Sequence, residues 1–279
     1  MIRERIADDV YVFTSRRYAQ VTAGAVLTKE GALLIDTLYY PDECRAVQQF
    51  VEERLGYPVR YVINTHDHAD HTTGTYLYPS AVVISHARCR ELLDTRGREG
   101  LRQVKEQLNE FGDAELVLPN LVVRDGALDV EVGGRTIRLI HTPGHSPDLM
   151  SVHILDENIL FASDTMMPVP TFFDGSLEDI TQSLKLIMDL KPDTLVQGHG
   201  EVILRGEVSA IIQDDLKYLH NILKKVHALV AGGAPIEQLA KVDIESCGKS
   251  RIPLNGLVAD LHQANLRYLY GKQTRPLGV

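Results

Sequence analysis

Asn64-Thr65-His66-Asp67-His68-Ala69-Asp70-His71 is the stretch that decides how the rest of this chain is read. It follows the apolar run 59–63, which has the length and residue types of a strand. In extended backbone, residues two apart point the same way, so His66 and His68 can face one ion together. Asp70 and His71 fall where the chain turns toward a helix and can face a second ion beside the first. Imidazole nitrogen and carboxylate oxygen are suitable ligands for zinc or iron. Asp67 lies inside the motif, but its offset turns it away from the metals and predicts a solvated or structural role.

Working outward, other ligand types recur in the same topological place. His145 closes His141-Thr142-Pro143-Gly144-His145 after the apolar run 136–140, Asp164 follows the run 159–162, and His199 lies in Gly198-His199-Gly200 after 194–196. Each stands just past the end of a short strand, where loops converge to form sites. Glycine or proline beside His145 and His199 suits tight turns that hold a side chain in one direction. The set comes to five histidines and two carboxylates, enough for two metal sites of three ligands each with Asp164 bridging.

Strand-type runs at 10–14, 23–28, 32–35, 59–63 and 81–84 fill the first third, with a helix from Pro41 to Gly56. Residues 95–113 are highly charged and read as an exposed helical insertion. Gly133-Gly134 marks a hairpin between 128–132 and 136–140, and 176–190 is an amphipathic helix. Strand, turn, strand, aspartate occurs at Ala25–Asp36 and again at Leu149–Asp164, as two half-domains of similar build would show. From about Gly206 helical spacing takes over, at 208–230 and 257–270. We therefore expect a mixed α/β body over 1–205 and a helical C-terminal extension over 206–279 that packs on it.

The chain has 279 residues, hydrophobic 44% and charged 24%, which excludes disordered or fibrous classes. With 29 Lys+Arg against 38 Asp+Glu the net charge is −9, which argues against nucleic acid or an anionic membrane as partner. Cys44, Cys89 and Cys247 are far apart and form no Cys-x-x-Cys pair, so they read as small buried hydrophobes. No run approaches the length of a membrane span and the N-terminus lacks the apolar core of a signal peptide. The expectation is a soluble, cytoplasmic protein with a small-molecule substrate, in which a homodimer contact could involve the tail.

The series His66/His68/Asp70/His71, then His145, Asp164 and His199, resembles the metallo-β-lactamase superfamily of hydrolases over roughly residues 5–205. The resemblance implies a four-layer αββα sandwich with a dinuclear site at one edge. It further implies His66, His68 and His145 on the first metal, Asp70, His71 and His199 on the second, and Asp164 bridging. Asp36, ending Leu33-Leu34-Ile35-Asp36, matches the family's first motif and would support a ligand without binding metal itself. Two departures stand out: Ser163 where glycine usually precedes the bridging aspartate, and Gln197 where proline commonly precedes Gly-His-Gly. A carboxylate at 164 is absent from true β-lactamases of this fold, which argues against antibiotic hydrolysis. The set is closer to the glyoxalase II, lactonase and phosphodiesterase branches.

The expected activity is therefore metal-dependent hydrolysis of an ester-type bond: a lactone, thioester or phosphoester. Two divalent ions, zinc first and iron or manganese as alternatives, would share a water, lower its pKa and supply a bridging hydroxide as nucleophile. Asp70 and Asp164 would hold the metals and orient that nucleophile. The alternative from another class is a mononuclear-iron oxidoreductase resembling the persulfide dioxygenases, which carry a similar motif but one iron. The apolar loop Met166–Phe173 is expected to border the site and Tyr39-Tyr40 to face its mouth, suiting a substrate with an acyl or aromatic part. Gly248-Lys249-Ser250-Arg251 is the compact basic patch that could hold a carboxylate or phosphate. His86, His141, His153, His220, His227 and His262 read as structural.

Overall fold

Alternation of side chains along the strands builds two β-sheets with three separate cores. The computed structural model describes residues 1–124 and 126–274, so Asp125 and the end of the expected C-terminal extension, 275–279, lie outside the described residues. Strands β1 (Ile2–Ala7), β2 (Val10–Thr14), β3 (Thr22–Thr28), β4 (Gly31–Ile35), β5 (Val59–Ile63), β6 (Val82–His86) and β7 (Leu121–Val123) lie side by side in chain order. They are antiparallel up to β4 and parallel from β4 to β7. The second sheet holds β8 (Ala127–Val132), β9 (Arg135–His141), β10 (Met150–Ile154), β11 (Ile159–Ser163), β12 (Thr194–Gln197) and β13 (Val202–Leu204), in the order β13-β12-β11-β10-β9-β8. Only its β11–β12 pair is parallel.

Because successive strand residues point to opposite faces, Val10, Val12, Leu33 and Ile35 pack inward against Ile137, Leu139, Val152 and Phe161 of the second sheet. Phe13, Ala32 and Leu34 point outward, against Cys44 and Val47 of helix α1 (Pro41–Gln48). On the far side Leu160, Ala162 and Leu195 meet Ile180, Leu184 and Ile187 of the long helix at 177–190. Each fully buried aliphatic or aromatic side chain contributes roughly 1.5–3 kcal/mol. The result is the expected αββα sandwich.

The short helices α2 (Ala69–Thr72) and α3 (Ala87–Leu92) follow β5 and β6, and α4 (Arg98–Gln107) is the exposed insertion. Helix α5 (Leu177–Leu190) starts at Ser176, whose hydroxyl accepts from the Asp179 amide at 3.2 Å. Helices α6 (Val208–Ala231) and α7 (Leu257–Thr274) share one apolar core with α5, through Ile212, Leu219, Val258 and Leu266. Buried Tyr218 joins them: its hydroxyl lies 2.9 Å from His262 Nδ1 and accepts from Asn265 Nδ2 at 3.3 Å. Among the described residues no helix is long and apolar enough to cross a membrane.

The internal echo is structural. β3–β4 and β10–β11 are both antiparallel hairpins, each runs into an aspartate, and each second strand then pairs in parallel with the next, β5 or β12. The Gly133-Gly134 turn joins β8 to β9 with φ of 53° and 88°, values that favour glycine at both positions. Strands β1, β7 and β13 carry no clear sequence signal; they are edge pieces, β1 mostly exposed and β7 and β13 of three residues each with one buried. The basic patch does not form a free anion site: Lys249 pairs with buried Asp215 at 2.5 Å, and Arg251 with Glu245 at 2.5 Å. Lys249 is consumed inside the fold by a partner distant in sequence, and Arg251 at the surface by a near neighbour.

Candidate metal centre

The seven ligand-type side chains come together at one edge of the sandwich. His66, His68, His145 and Asp164 form one group and Asp70, His71 and His199 another, each with one ligand atom per residue within 4.8 Å of the others. His68 Nδ1 and His145 Nε2 are 3.1 Å apart, and His145 Nε2 is 3.2 Å from Asp164 Oδ2. His66 Nε2 stands 3.8 Å from the same oxygen. In the second group His199 Nε2 is 3.3 Å and His71 Nε2 3.7 Å from Asp70 Oδ2. Asp164 touches both groups, its Oδ1 lying 3.3 Å from His71 Nε2 and its Oδ2 3.5 Å from His199 Nε2.

Every ring is aimed from behind by a partner on its other nitrogen, which fixes the tautomer. His71 Nδ1 donates to Asp36 Oδ2 at 2.8 Å, and His199 Nδ1 donates to the Ala19 carbonyl at 2.9 Å. His145 Nδ1 donates to Thr171 Oγ1 at 2.7 Å. His68 is reversed, holding Nε2 toward Asp174 Oδ2 at 3.1 Å and Nδ1 toward the cluster. Thr65 uses its hydroxyl fully: it donates to Asp36 Oδ2 at 2.8 Å and accepts from His66 Nδ1 at 3.1 Å and Ser163 Oγ at 2.8 Å. Ser163 itself sits at φ 46°, a region glycine favours, so the serine carries backbone strain and adds a hydrogen bond to Thr65. At Gly198 a Cβ would overlap the Asp164 carboxylate, so only glycine lets the His199 turn approach this closely.

His66 Nε2, His71 Nε2 and Asp164 Oδ1 are buried with no hydrogen-bond partner. Leaving such atoms unsatisfied costs about 1–3 kcal/mol each; one nitrogen in each group, with Asp164 Oδ1 beside His71, fits cation binding by the two groups. The electrostatics of the two groups differ. Burial keeps His66 and His145 neutral, His145 being lowered to about 4, so both rings hold lone pairs ready for a cation. Burial also opposes charge on His71 and His199, but Asp164 and Asp70 outweigh it and lift His199 to about 10. Asp164 and Asp70 would be raised by burial, yet the imidazoles beside them hold both down, Asp70 to about 2.

A cavity of about 170 Å³ opens onto the cluster between Tyr18, Met167, Phe173, Leu254, Leu257 and Leu261. The loop after Asp164 thus borders the site as expected, and the start of α7 forms a wall of it. Tyr39 instead lines a neighbouring cavity, while Tyr40 lies under the Arg17 guanidinium at 3.8 Å. Asp67 is buried rather than solvated, gripped by Arg96 through Nε and, at 2.5 Å, through Nη2. His86 stacks on His141 at 4.3 Å and caps α3, a structural role. Tyr18, Ala19, Arg96, Thr171 and Asp174 belong to the site's surroundings but were not singled out individually from the sequence; only Thr171 lay in a stretch that pointed there.

Residues 16–199 match the family model described as the Metallo-beta-lactamase superfamily. The chain belongs to the metallo-beta-lactamase superfamily. Among relatives within it, a beta-lactamase-like protein 2 homolog from Caenorhabditis elegans is 25% identical over 186 residues, covering 67% of this chain and 56% of that protein. A hydroxyacylglutathione hydrolase from Cereibacter sphaeroides is 27% identical over 177 residues, covering 62% of this chain and 60% of the relative. The chain thus spans less than two thirds of the length of these superfamily relatives. Among solved structures, the stereoselective inverting sec-alkylsulfatase Pisa1 from Pseudomonas sp. superposes with a TM-score of 0.75 at 16% identity, over 98% of this chain and 50% of that one. A metallo-beta-lactamase from Pontibacter korlensis gives 0.64 at 19% identity, over 79% and 99%. At these identities the likeness concerns the fold.

Proposed function

We propose that this protein is a dinuclear metal-dependent hydrolase of an ester-type bond, with a lactone or thioester favoured over a phosphoester. The observation that carries the reading is the convergence of the seven side chains into two adjoining groups with buried nitrogens unpartnered on the facing side. His66 Nε2, His68 Nδ1 and His145 Nε2 would hold one cation, Asp70, His71 and His199 the other, and Asp164 would reach both. The donor set suits zinc, with iron or manganese as alternatives. Divalent cations in such a site supply Lewis acidity and activate water at neutral pH.

The chain's own groups do the positioning. Asp36, Thr65, Thr171, Asp174 and the Ala19 carbonyl lock the five rings so that each offers a lone pair in the right direction. Asp70 and Asp164 supply the negative charge that retains the cations and orients the attacking oxygen. Burial, with Asp70 nearby, pushes the Tyr18 hydroxyl above its ordinary pKa, so it stays protonated and can donate a hydrogen bond to a substrate oxygen or leaving group. Met167, Phe173, Leu254, Leu257 and Leu261 exclude water and seat an apolar substrate part. This mostly apolar rim and the net charge of −9 favour carbonyl over phosphoryl chemistry, as does likeness to a hydroxyacylglutathione hydrolase. We assign the chemistry to 1–205 and a wall of the pocket to the extension from 206.

The test is elemental analysis of protein purified without added metal, beside hydrolysis of a lactone, a thioester and bis-p-nitrophenyl phosphate. Two equivalents of metal and turnover lost in both His68→Ala and Asp164→Ala are expected. One equivalent of iron with no hydrolysis overturns the reading and points to oxygen consumption with persulfides.

A further inference from the structure

Helix α4 carries Leu101 and Val104 on one face with Gly100, and Gly97 precedes its first residue, yet none of the helix's residues is buried. An apolar helix face ordinarily closes on protein. Here it borders a cavity of about 340 Å³, lined also by Leu93, Leu116 and the α2 residues Ala69 and Thr72. Pockets for small organic ligands begin at roughly this size, about 300 Å³.

The cavity adjoins the metal centre across a wall made at two points. His68 lines both cavities, its Nδ1 toward the cluster and its Nε2 toward Asp174. Tyr18 of the cluster cavity packs on Tyr39 of this one, with ring centroids 4.7 Å apart. Arg96, the cation in its lining, is already shared between Asp67 and Asp174, and Glu115 adds a negative charge at the exposed edge. No free cation is offered here to a carboxylate or phosphate, whereas the leucines and valine offer apolar contact.

We propose that this cavity takes the uncharged alkyl or aryl part of the acyl group, with the scissile carbonyl at the metal centre beside His68. The proposal rests on the ester-hydrolase reading and narrows its substrate class to medium-chain or aromatic acyl esters and thioesters. At Gly97 a Cβ would crowd Leu93 and Leu116, two other residues of the cavity lining, at 3.1 and 3.6 Å.

The experiment compares metal-loaded wild type with Gly100→Phe, which fills the cavity, and Leu101→Ala, which enlarges it. Gly100 lines the cavity and a Cβ there meets nothing within 4 Å, so the larger side chain starts without a clash. The kcat/KM ratio of octanoyl to acetyl esters with one leaving group is read, together with octanoate binding by calorimetry and melting temperature. The ratio and octanoate affinity are expected to fall about tenfold in Gly100→Phe, the factor lost with roughly two buried methylenes, and Leu101→Ala should move the optimum to longer chains. An unchanged ratio and affinity in a folded Gly100→Phe overturn the proposal, as does an unchanged ratio with a changed oligomeric state by size-exclusion chromatography, which would give the cavity to a second copy. Failure of the hydrolase reading looks different: no ester is cleaved, while octanoate still binds wild type and binds Gly100→Phe about tenfold more weakly.

Discussion

Asp36→Asn tests how far the ring orientations govern metal retention. The carboxylate accepts three hydrogen bonds at 2.8 Å, from the Thr65 amide, the Thr65 hydroxyl and His71 Nδ1. Asp36 adopts φ 59°, a conformation asparagine tolerates as well as aspartate, so the backbone is not the variable. If the new amide oxygen keeps the Thr65 N–H, its NH2 faces the Thr65 hydroxyl and His71 Nδ1–H. The hydroxyl can turn round; the imidazole cannot. Either His71 loses a charge-assisted bond, or it moves its proton to Nε2, the atom that faces Asp70 and Asp164. Loss of such an outer partner typically costs 10–100-fold in metal affinity, or about 1.4–2.8 kcal/mol. The assay is zinc titration against a competing chelator, fitted to two sites. The second site should weaken by that factor while the His66/His68/His145 site holds near its wild-type affinity. Two sites of unchanged affinity would refute the argument that Asp36 acts through His71.

Asp174→Ala should act on the other site, weakening the metal held through His68 by up to about tenfold while melting stays near wild type, because the carboxylate is partly exposed and its contribution screened. Chelator competition reads the first effect and thermal unfolding the second. Tyr218→Phe strips the hydroxyl from a buried contact with His262 and Asn265, and urea unfolding should register a loss of about 1–2 kcal/mol with an unchanged slope. Burial outweighs Lys249 at Asp215 and pushes its pKa up from 3.8 to about 6. A carboxyl raised by folding stabilises below its unfolded value and loses that contribution as pH rises through the folded one. Wild type should therefore lose stability relative to Asp215→Asn between 3.8 and about 6; melting curves whose difference is flat across that window would remove Asp215 from the explanation.

Much of the candidate site was legible because its ligand-type residues obey local rules. His66 and His68 are two apart on extended chain, Asp70 and His71 open the next helix, and His145, Asp164 and His199 each end a strand, so residue type and position were enough to nominate them. Their outer partners were not legible. Asp174 reaches His68 across 106 residues of sequence and Ala19 reaches His199 across 180, the latter with a backbone carbonyl that any residue would provide. That Lys249 is not free for an anion was hidden for the same reason, since its partner Asp215 lies on α6.

By itself the sequence determined the layers of the fold and the inventory of ligand-type side chains, because periodicity, turn chemistry and residue type act between neighbours in the chain. Only the tertiary structure decided which nitrogen of each ring faces the centre, that Leu254, Leu257 and Leu261 wall it, and that a second cavity meets it at His68. Those features depend on hydrogen bonds and packing between segments far apart in sequence, whose meeting no local pattern encodes.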